Sequence, residues 1–206
     1  MKIVYFMLLI LLSLITVNVN AQIYSDVYLG VPVGIGTPLE DAHGSLGYTV
    51  DVMYRTSMVG NNLSFGVDYV GNIFGSSEAE VDNKLYTNND VSYHQFWGAK
   101  ARLDIGHNVV VPYLGIAMGW AKAKAYPEWN AYHNTKDDGC TFISYQNSAL
   151  AVKPEIGVTY KWFSFGASYI LPHKYFDHHG TMYKASSLQV CVGARFNISR
   201  TSDKTN

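Results

Sequence analysis

Residues 110–120 read VVPYLGIAMGW, and every second residue of this stretch is large and apolar. Successive side chains of a β-strand point to opposite faces, so this pattern predicts a strand with one bulky apolar face and one face of smaller residues. The bulky positions are Val110, Pro112, Leu114, Ile116, Met118 and Trp120, and the positions between them are Tyr113, Gly115, Ala117 and Gly119.

Seven other runs of the chain alternate in the same way. They cover residues 27–35, 48–55, 63–69, 91–104, 152–160, 163–171 and 188–198. About ten residues is the length that a tilted strand needs to cross a bilayer, and single-chain barrels of this kind have an even number of strands. The sequence therefore predicts an all-β fold, an eight-stranded antiparallel up-and-down transmembrane β-barrel.

The connections between the runs alternate between short and long. The short ones are residues 56–62, 106–108 and 161–162, and the long ones are 36–47, 72–90, 121–151 and 172–187. Outer-membrane barrels place short turns in the periplasm and long loops outside the cell. We therefore expect both ends of the barrel domain to lie on the periplasmic side.

The first residues have the pattern of a secretory signal peptide. Lys2 precedes an apolar run from Ile3 to Val17, and Ala21 ends a stretch of small residues. The run is shorter than the roughly 20 apolar residues of a spanning helix, which favours cleavage after Ala21. The predicted organisation is a signal peptide over residues 1–21, a barrel over 22–198 and a short periplasmic tail over 199–206.

Alternation alone does not say which face of the barrel meets lipid. A secreted lipocalin-like barrel that binds an apolar ligand is the main alternative, because it has the same pattern with its apolar face inside. Small residues on the polar face suit the crowded inside of a narrow barrel, and charges of both signs can pair there. The lumen is therefore predicted to contain Asp51, Arg55, Asp68, Lys100, Arg102, Asp104, Lys153, Glu155 and Arg195.

Composition and two prolines refine this expectation. Charged residues make up 15% of the chain, against about 25% in a usual soluble domain. Pro112 and Pro154 fall on the predicted lipid face, and proline cannot donate to a β-ladder. Each of them is expected to mark a bulge or the end of a strand.

The last strand, VCVGARFNI over residues 190–198, and segments such as GIAMG over 115–119 resemble the small outer-membrane barrels of the OmpX and OmpA-transmembrane type. The resemblance covers about residues 23–198. It implies that Phe196 is the terminal aromatic residue read by the barrel-assembly machinery. The chain departs from the family pattern because Ser199 to Asn206 follow this strand.

An eight-stranded barrel is filled by its own side chains, so a wide pore is not expected. The net charge of -1 argues against a nucleic-acid partner. We predict a non-enzymatic outer-membrane protein of a Gram-negative cell with a structural, adhesive or surface-interaction role. Its expected partners are outer-membrane lipid and an extracellular partner bound through the long loops.

No catalytic, cofactor-binding or metal-binding residue is predicted. A lipid-modifying enzyme is the second alternative, because a histidine beside acidic residues can act as a general base or bind a metal. The loop residues weighed for these roles are His133, Asp137, Asp138, His173, Asp177, His178 and His179. A disulfide between Cys140 and Cys191 stays open beside the alternative of two free thiols.

Overall fold

A computed structural model of the protein describes residues 22–35, 45–56, 62–133, 138–174 and 184–198. These residues form eight antiparallel strands that pair in chain order, and β1 pairs with β8 to close the barrel. The strands are β1 Gln22–Gly34, β2 Ser45–Arg55, β3 Leu63–Val81, β4 Lys84–Asp104, β5 Val110–His133, β6 Asp138–Tyr160, β7 Phe163–Lys174 and β8 Lys184–Asn197. The predicted fold class is confirmed.

The two faces of the barrel are the ones that alternation predicted. Large apolar side chains point outward in all eight strands, and Ile116 and Val67, for example, are 55% and 61% exposed. The polar side chains between them point into the lumen, where Lys100 and Arg102 are 3% and 1% exposed. No helix among the described residues is long and apolar enough to cross a membrane.

Aromatic rings lie over glycines on the neighbouring strand inside the lumen. Tyr28 pairs with Gly193, and a Cβ atom on that glycine would come within 2.5 Å of the Tyr28 ring. Tyr113 pairs with Gly157 in the same way, with its hydroxyl 2.6 Å from the position of a Cβ. The small residues of the lumen face therefore provide the space that the tyrosine rings fill.

We expect Gly157→Ala to destabilise the barrel by about 1–3 kcal/mol, the usual cost of overpacking a filled interior. The added methyl group would meet the Phe165 carbonyl oxygen at 2.3 Å as well as the Tyr113 ring. Gly115→Ala is the matched control, since its nearest neighbour would lie at an ordinary 3.4 Å. Urea unfolding in lipid vesicles measures both changes, and equal losses would contradict this account of the lumen.

Two of the connections read as long loops are mostly β-structure. β3 and β4 pair up to Val81 and Lys84, and Asp82 and Asn83 make the turn between them with positive φ angles of 50° and 61°. β5 and β6 likewise pair up to His133 and Asp138. Both hairpins extend beyond the part of the barrel that faces lipid, so no lipid imposes one apolar face on them. The alternation that identifies a membrane strand is therefore lost there, and the loop assignment of residues 72–90 and 121–151 was wrong.

The short turns of residues 106–108 and 161–162 are confirmed. Gly106 and Lys161 take positive φ angles of 88° and 55° there. Residues 36–44, 57–61 and 175–183 lie outside the described part of the chain. Residues 1–21 and 199–206 also lie outside it, so the signal peptide and the periplasmic tail remain predictions.

Pro112 lies near the start of β5, as predicted, but Pro154 lies inside β6 and marks no bulge, so the prediction was wrong there. Each proline lies where the ladder to one neighbouring strand ends. The carbonyl oxygen of Pro112 accepts a hydrogen bond from the Ile105 amide at 2.7 Å, just beyond the last β4–β5 pair. Pro154 lies one residue beyond the pair of Glu155 with Ser168, where the β6–β7 ladder stops. In both places the strand itself continues, because its other neighbour still pairs with it.

Candidate functional site

The lower lumen is organised around Arg102 of β4, whose side chain is fully buried. Its guanidinium donates to Asp26 at 2.7 Å, to Asp104 at 2.8 Å and to the Thr159 hydroxyl at 2.7 Å. Its carbon Cζ lies 3.5 Å from the centre of the Tyr113 ring, within cation–π distance. Arg102 thereby joins side chains of β1, β4, β5 and β6 across the barrel.

Two more arginines complete the lower cluster. Arg195 makes two hydrogen bonds to Asp26, each of 2.8 Å, and Arg55 donates to Asp104 at 2.5 Å. An open depression of about 500 Å³ at the short-turn end is lined in part by Arg55, Asp104 and Arg195. This depression therefore ends on the ion pairs rather than continuing as a channel.

The middle lumen is held by two lysines. Lys100 forms ion pairs with Asp51 and, at 2.8 Å, with Glu155. Lys153 lies 3.0 Å from Glu155 and 2.8 Å from Asp68. Ion pairs this deeply buried need such multiple partners to offset the cost of removing the charges from water.

The charges of the lower and middle lumen balance. Five carboxylates face five cations: Asp26, Asp51, Asp68, Asp104 and Glu155 against Arg55, Lys100, Arg102, Lys153 and Arg195. The predicted pairing of charges across the lumen is confirmed. Asp26 was not among the charges that the sequence predicted for the lumen. Its role is visible only in the fold, because its partners lie 76 and 169 residues away.

Neutral polar groups and an apolar layer fill the lumen above the charges. Thr49 donates to Gln189 at 3.0 Å, and Asn72 donates to the Ser187 hydroxyl at 3.0 Å. The Nδ1 atom of His94 lies 2.9 Å from the same hydroxyl. The apolar layer consists of Val70, Phe96, Ala117, Ala121, Ala151 and Ile170.

The His94–Ser187 contact is the arrangement that most resembles a nucleophile with its base. Sequence reasoning missed it, because Ser187 was assigned to a loop. The two side chains are 0% and 1% exposed, and Asn72 also hydrogen-bonds the hydroxyl. A substrate has no open path to this serine among the described residues, so the contact reads as structural.

The structure brings none of the seven weighed loop residues into a described site. His133, Asp138 and His173 lie in strands β5, β6 and β7, while Asp137, Asp177, His178 and His179 fall outside the described residues. Within the described part of the chain, no three His, Cys, Asp or Glu side chains group as a metal site would require.

The two cysteines are free thiols. Cys191 faces the lumen wall and lies 3.4 Å from the Gly166 carbonyl oxygen. Cys140 belongs to the upper part of the β5–β6 hairpin, opposite Ala131. The disulfide alternative is therefore not the arrangement found here.

The upper parts of β3 to β6 form two hairpins, residues 75–92 and 125–148, which we call the projecting sheet; the β4–β5 ladder that joins them lower down ends at Tyr93 and Lys124. A hydrogen bond of 2.6 Å from the Tyr126 hydroxyl to Asp90 ties its two hairpins together. Lys124 lies 3.9 Å from the same carboxylate. Burial, together with the bond to Asp90, raises the pKa of Tyr126 above its ordinary value.

A family model for the outer membrane protein β-barrel domain matches residues 7–196. The chain belongs to this family. It is therefore an integral β-barrel protein of the outer membrane of a Gram-negative cell, and the secreted lipocalin-like alternative is wrong. A search of curated protein sequences gives no significant match.

Several solved outer-membrane barrels are similar to the chain. Neisserial surface protein A is 16% identical with a TM-score of 0.57, over 87% of this chain and 99% of that one. Ail of Yersinia pestis, bound to the heparin analogue sucrose octasulfate, is 16% identical with a TM-score of 0.43, over 85% and 98%. The protease OmpT of Escherichia coli is 9% identical with a TM-score of 0.39, over 86% and 97%. At these identities the likeness to the neisserial protein supports the fold alone.

Proposed function

We propose that this barrel is a non-enzymatic surface-contact protein that binds an extracellular protein partner along the edge of its projecting sheet. The edge belongs to β6. Residues 139–148 of this strand, except Ser144 at a register shift, pair with β5 on one side, and none of them has a ladder partner on the other side among the described residues. This unpaired edge is the observation that carries the proposal.

The composition of the edge supports the proposal. From Gly139 to Val152 the chain contains no charged residue and no proline. Exposed strand edges are normally protected by lysines, prolines or bulges, because an open edge pairs with other chains. Here an uncharged edge extends above the aromatic residues Trp97 and Trp120 toward the outside of the cell.

The backbone geometry suits strand addition. Successive residues of an antiparallel strand direct their N–H and C=O groups to opposite sides. The amide of Ser148 donates a hydrogen bond of 2.7 Å to the side-chain oxygen of Asn147. The even-numbered residues of β6 therefore direct their backbone N–H and C=O groups away from β5. Ser144 and Gln146 thus offer backbone groups to an extended segment of a partner, whose main chain would supply the affinity.

The lumen supports a role in contact rather than transport. Its balanced, buried ion pairs and its apolar layer occupy the space that a channel would need. An interior of eight strands is just wide enough for such side chains. The chemistry of the protein is therefore expected at its outer surface.

A lysine placed on the edge should abolish surface contact. We expect Ser144→Lys to remove most of the attachment that the wild-type protein gives to a host strain lacking it. The desolvation cost of the added charge opposes pairing with a partner strand. The measurement is the fraction of cells attached to an epithelial layer.

Thr87→Lys is the matched control, because Thr87 is exposed and pairs with Glu78 in the other hairpin, away from the β6 edge. It adds the same charge to the same sheet and should leave attachment unchanged. Suppose that the Ser144→Lys cells and the wild-type cells carry equal amounts of the protein on their surface and attach equally. That result would show that the β6 edge does not bind the partner.

A further inference from the structure

The depression at the short-turn end of the barrel has charged side chains at its floor. Its volume of about 500 Å³ lies within the usual range of small-molecule sites. The floor contains Arg55, Asp104 and Arg195, whose side chains are 24%, 6% and 11% exposed. The short turns of an outer-membrane barrel face the periplasm, so a ligand of this depression would come from that compartment.

The ten paired charges of the lumen divide unequally along the barrel axis. In the lower cluster, three arginines share two carboxylates, those of Asp26 and Asp104. In the middle lumen, two lysines share three carboxylates. Among the described residues, no ion pair joins the two groups. The lower cluster therefore carries one excess positive charge, and this cluster is the group that faces the depression.

The rim of the depression adds a second cation. Lys161 lies in the β6–β7 turn, and a hydrogen bond of 2.7 Å from the Arg195 amide to the Trp162 carbonyl oxygen holds this turn against β8. The Lys161 ammonium lies 5.5 Å from the centre of the Tyr160 ring. This lysine is exposed and forms no ion pair within the described part of the chain. An anion in the depression would therefore meet positive charge at both the floor and the rim.

The two arginines of the floor are held in place and keep N–H groups to spare. Both guanidiniums lie within cation–π distance of the Tyr24 ring, with Cζ of Arg55 at 5.3 Å and Cζ of Arg195 at 4.1 Å from its centre. Arg55 donates to Asp104 at 2.5 Å, but its contact with Gln22 is 3.5 Å long and its Nε atom has no hydrogen-bond partner. Since a guanidinium carries five N–H donors, Arg55 has donors left for an anion.

Side-chain amides surround the charged floor. Gln22 donates to Asn197 at 2.8 Å between β1 and β8, and Asn62 and Asn108 also line the depression. An amide side chain has both donors and acceptors, as a peptide group does. Peptide groups can therefore pair with both kinds of group, whereas a bare phosphate would use only the donors. These surroundings favour a carboxylate attached to peptide groups over an inorganic anion.

We propose that the depression binds the free C-terminal carboxylate of a short periplasmic peptide. The carboxylate lies between Arg55 and Lys161, next to the excess charge of the lower cluster, and the last peptide groups of the ligand meet the amides of the rim. Binding needs no opening of the lumen, because Arg102 and its partners close it above the depression. The site lies at the opposite end of the barrel from the β6 edge, so the two proposals stand or fall separately.

The test uses the whole mature protein, refolded in detergent micelles, and two peptide probes. One probe is N-acetyl-trialanine with a free carboxylate, and the other is the same peptide with an uncharged C-terminal amide. Amide signals in NMR spectra give both the dissociation constant and the location of the bound peptide. The free acid should move the signals of residues 104–109 and 159–162, and the amide should bind about tenfold more weakly because it loses the charge-assisted hydrogen bonds.

Three variants test the position of the carboxylate. Arg55→Gln should weaken binding of the free acid by about tenfold and Lys161→Gln by a few fold. In the first variant Asp104 keeps its hydrogen bond of 2.8 Å from Arg102. Lys84→Gln is the matched control, because Lys84 is an exposed lysine beside the β3–β4 turn at the other end of the barrel. It should leave binding unchanged.

Three results would overturn the proposal. They are equal binding of the acid and the amide, tighter binding of inorganic phosphate than of the free acid, and equal binding by wild type and Lys161→Gln. The second result would mean that the site recognises an anion without its peptide groups. Lys161 is exposed and makes no buried contact, so this variant keeps the test decisive even if Arg55→Gln does not fold.

Discussion

A Lys100→Met variant is expected to lose about 3–5 kcal/mol of unfolding free energy, the usual cost of breaking a buried ion pair by removing one partner. Lys100 is the cation between Asp51 and Glu155, and its side chain has no exposed surface. Methionine fills a similar volume but leaves Asp51 charged and without its ion-pair partner in a closed lumen. Urea unfolding in lipid vesicles gives the free energy directly.

The control for this variant removes both charges. Lys100→Met combined with Asp51→Leu should recover most of the loss, because replacing a whole buried pair by apolar side chains is often neutral. Glu155 keeps its second cation, Lys153, at 3.0 Å in either protein. A loss below about 1 kcal/mol in the single variant would mean that the ions behave as exposed ones and that water fills the lumen.

Ile116→Arg should have the second largest effect, about 2–4 kcal/mol, which is the cost of a cation at the middle of the bilayer on a lipid-facing position. Ile116 is 55% exposed and pairs with Ala101 and Pro154, near the centre of the apolar band. The measurement is the folding free energy in vesicles, read as the folded fraction on an unheated gel.

The depth of the substituted position in the membrane distinguishes the cost of a buried charge from an ordinary loss of packing. Val110→Arg lies on the same face and is 50% exposed, but it is close to the short turns. A cation there should cost only about 0–1 kcal/mol, because its charge reaches the interface. Equal costs at the two positions would contradict the placement of the lipid band.

The strands and their faces could be predicted from the sequence because lipid imposes a strict alternation on them. Ile116 faces lipid while its neighbour Ala117 faces the lumen, and an alternation with a period of two is enough to assign both faces. The position of Pro154 inside β6 was not predicted, because the loss of its donor interrupts only the ladder to β7 while the strand goes on pairing with β5.

Other features could not be predicted because they depend on contacts across the barrel or outside lipid. The partners of Asp26 come from β4 and β8, and no local pattern joins them. The contact of His94 with Ser187 likewise spans 93 residues. Residues 75–90 belong to a hairpin beyond the part of the barrel that faces lipid, so no apolar period marks them.

The two native cysteines allow the most direct test of the whole account. A membrane-impermeant maleimide is added to intact cells, with Cys140→Ser and Cys191→Ser variants to identify the labelled thiol. The account predicts one label, on Cys140, because this residue lies in the projecting sheet outside the cell while Cys191 lies in the wall of a filled lumen. Labelling of Cys140 only after lysis would contradict the orientation of the barrel, and labelling of Cys191 in intact cells would contradict the closed lumen.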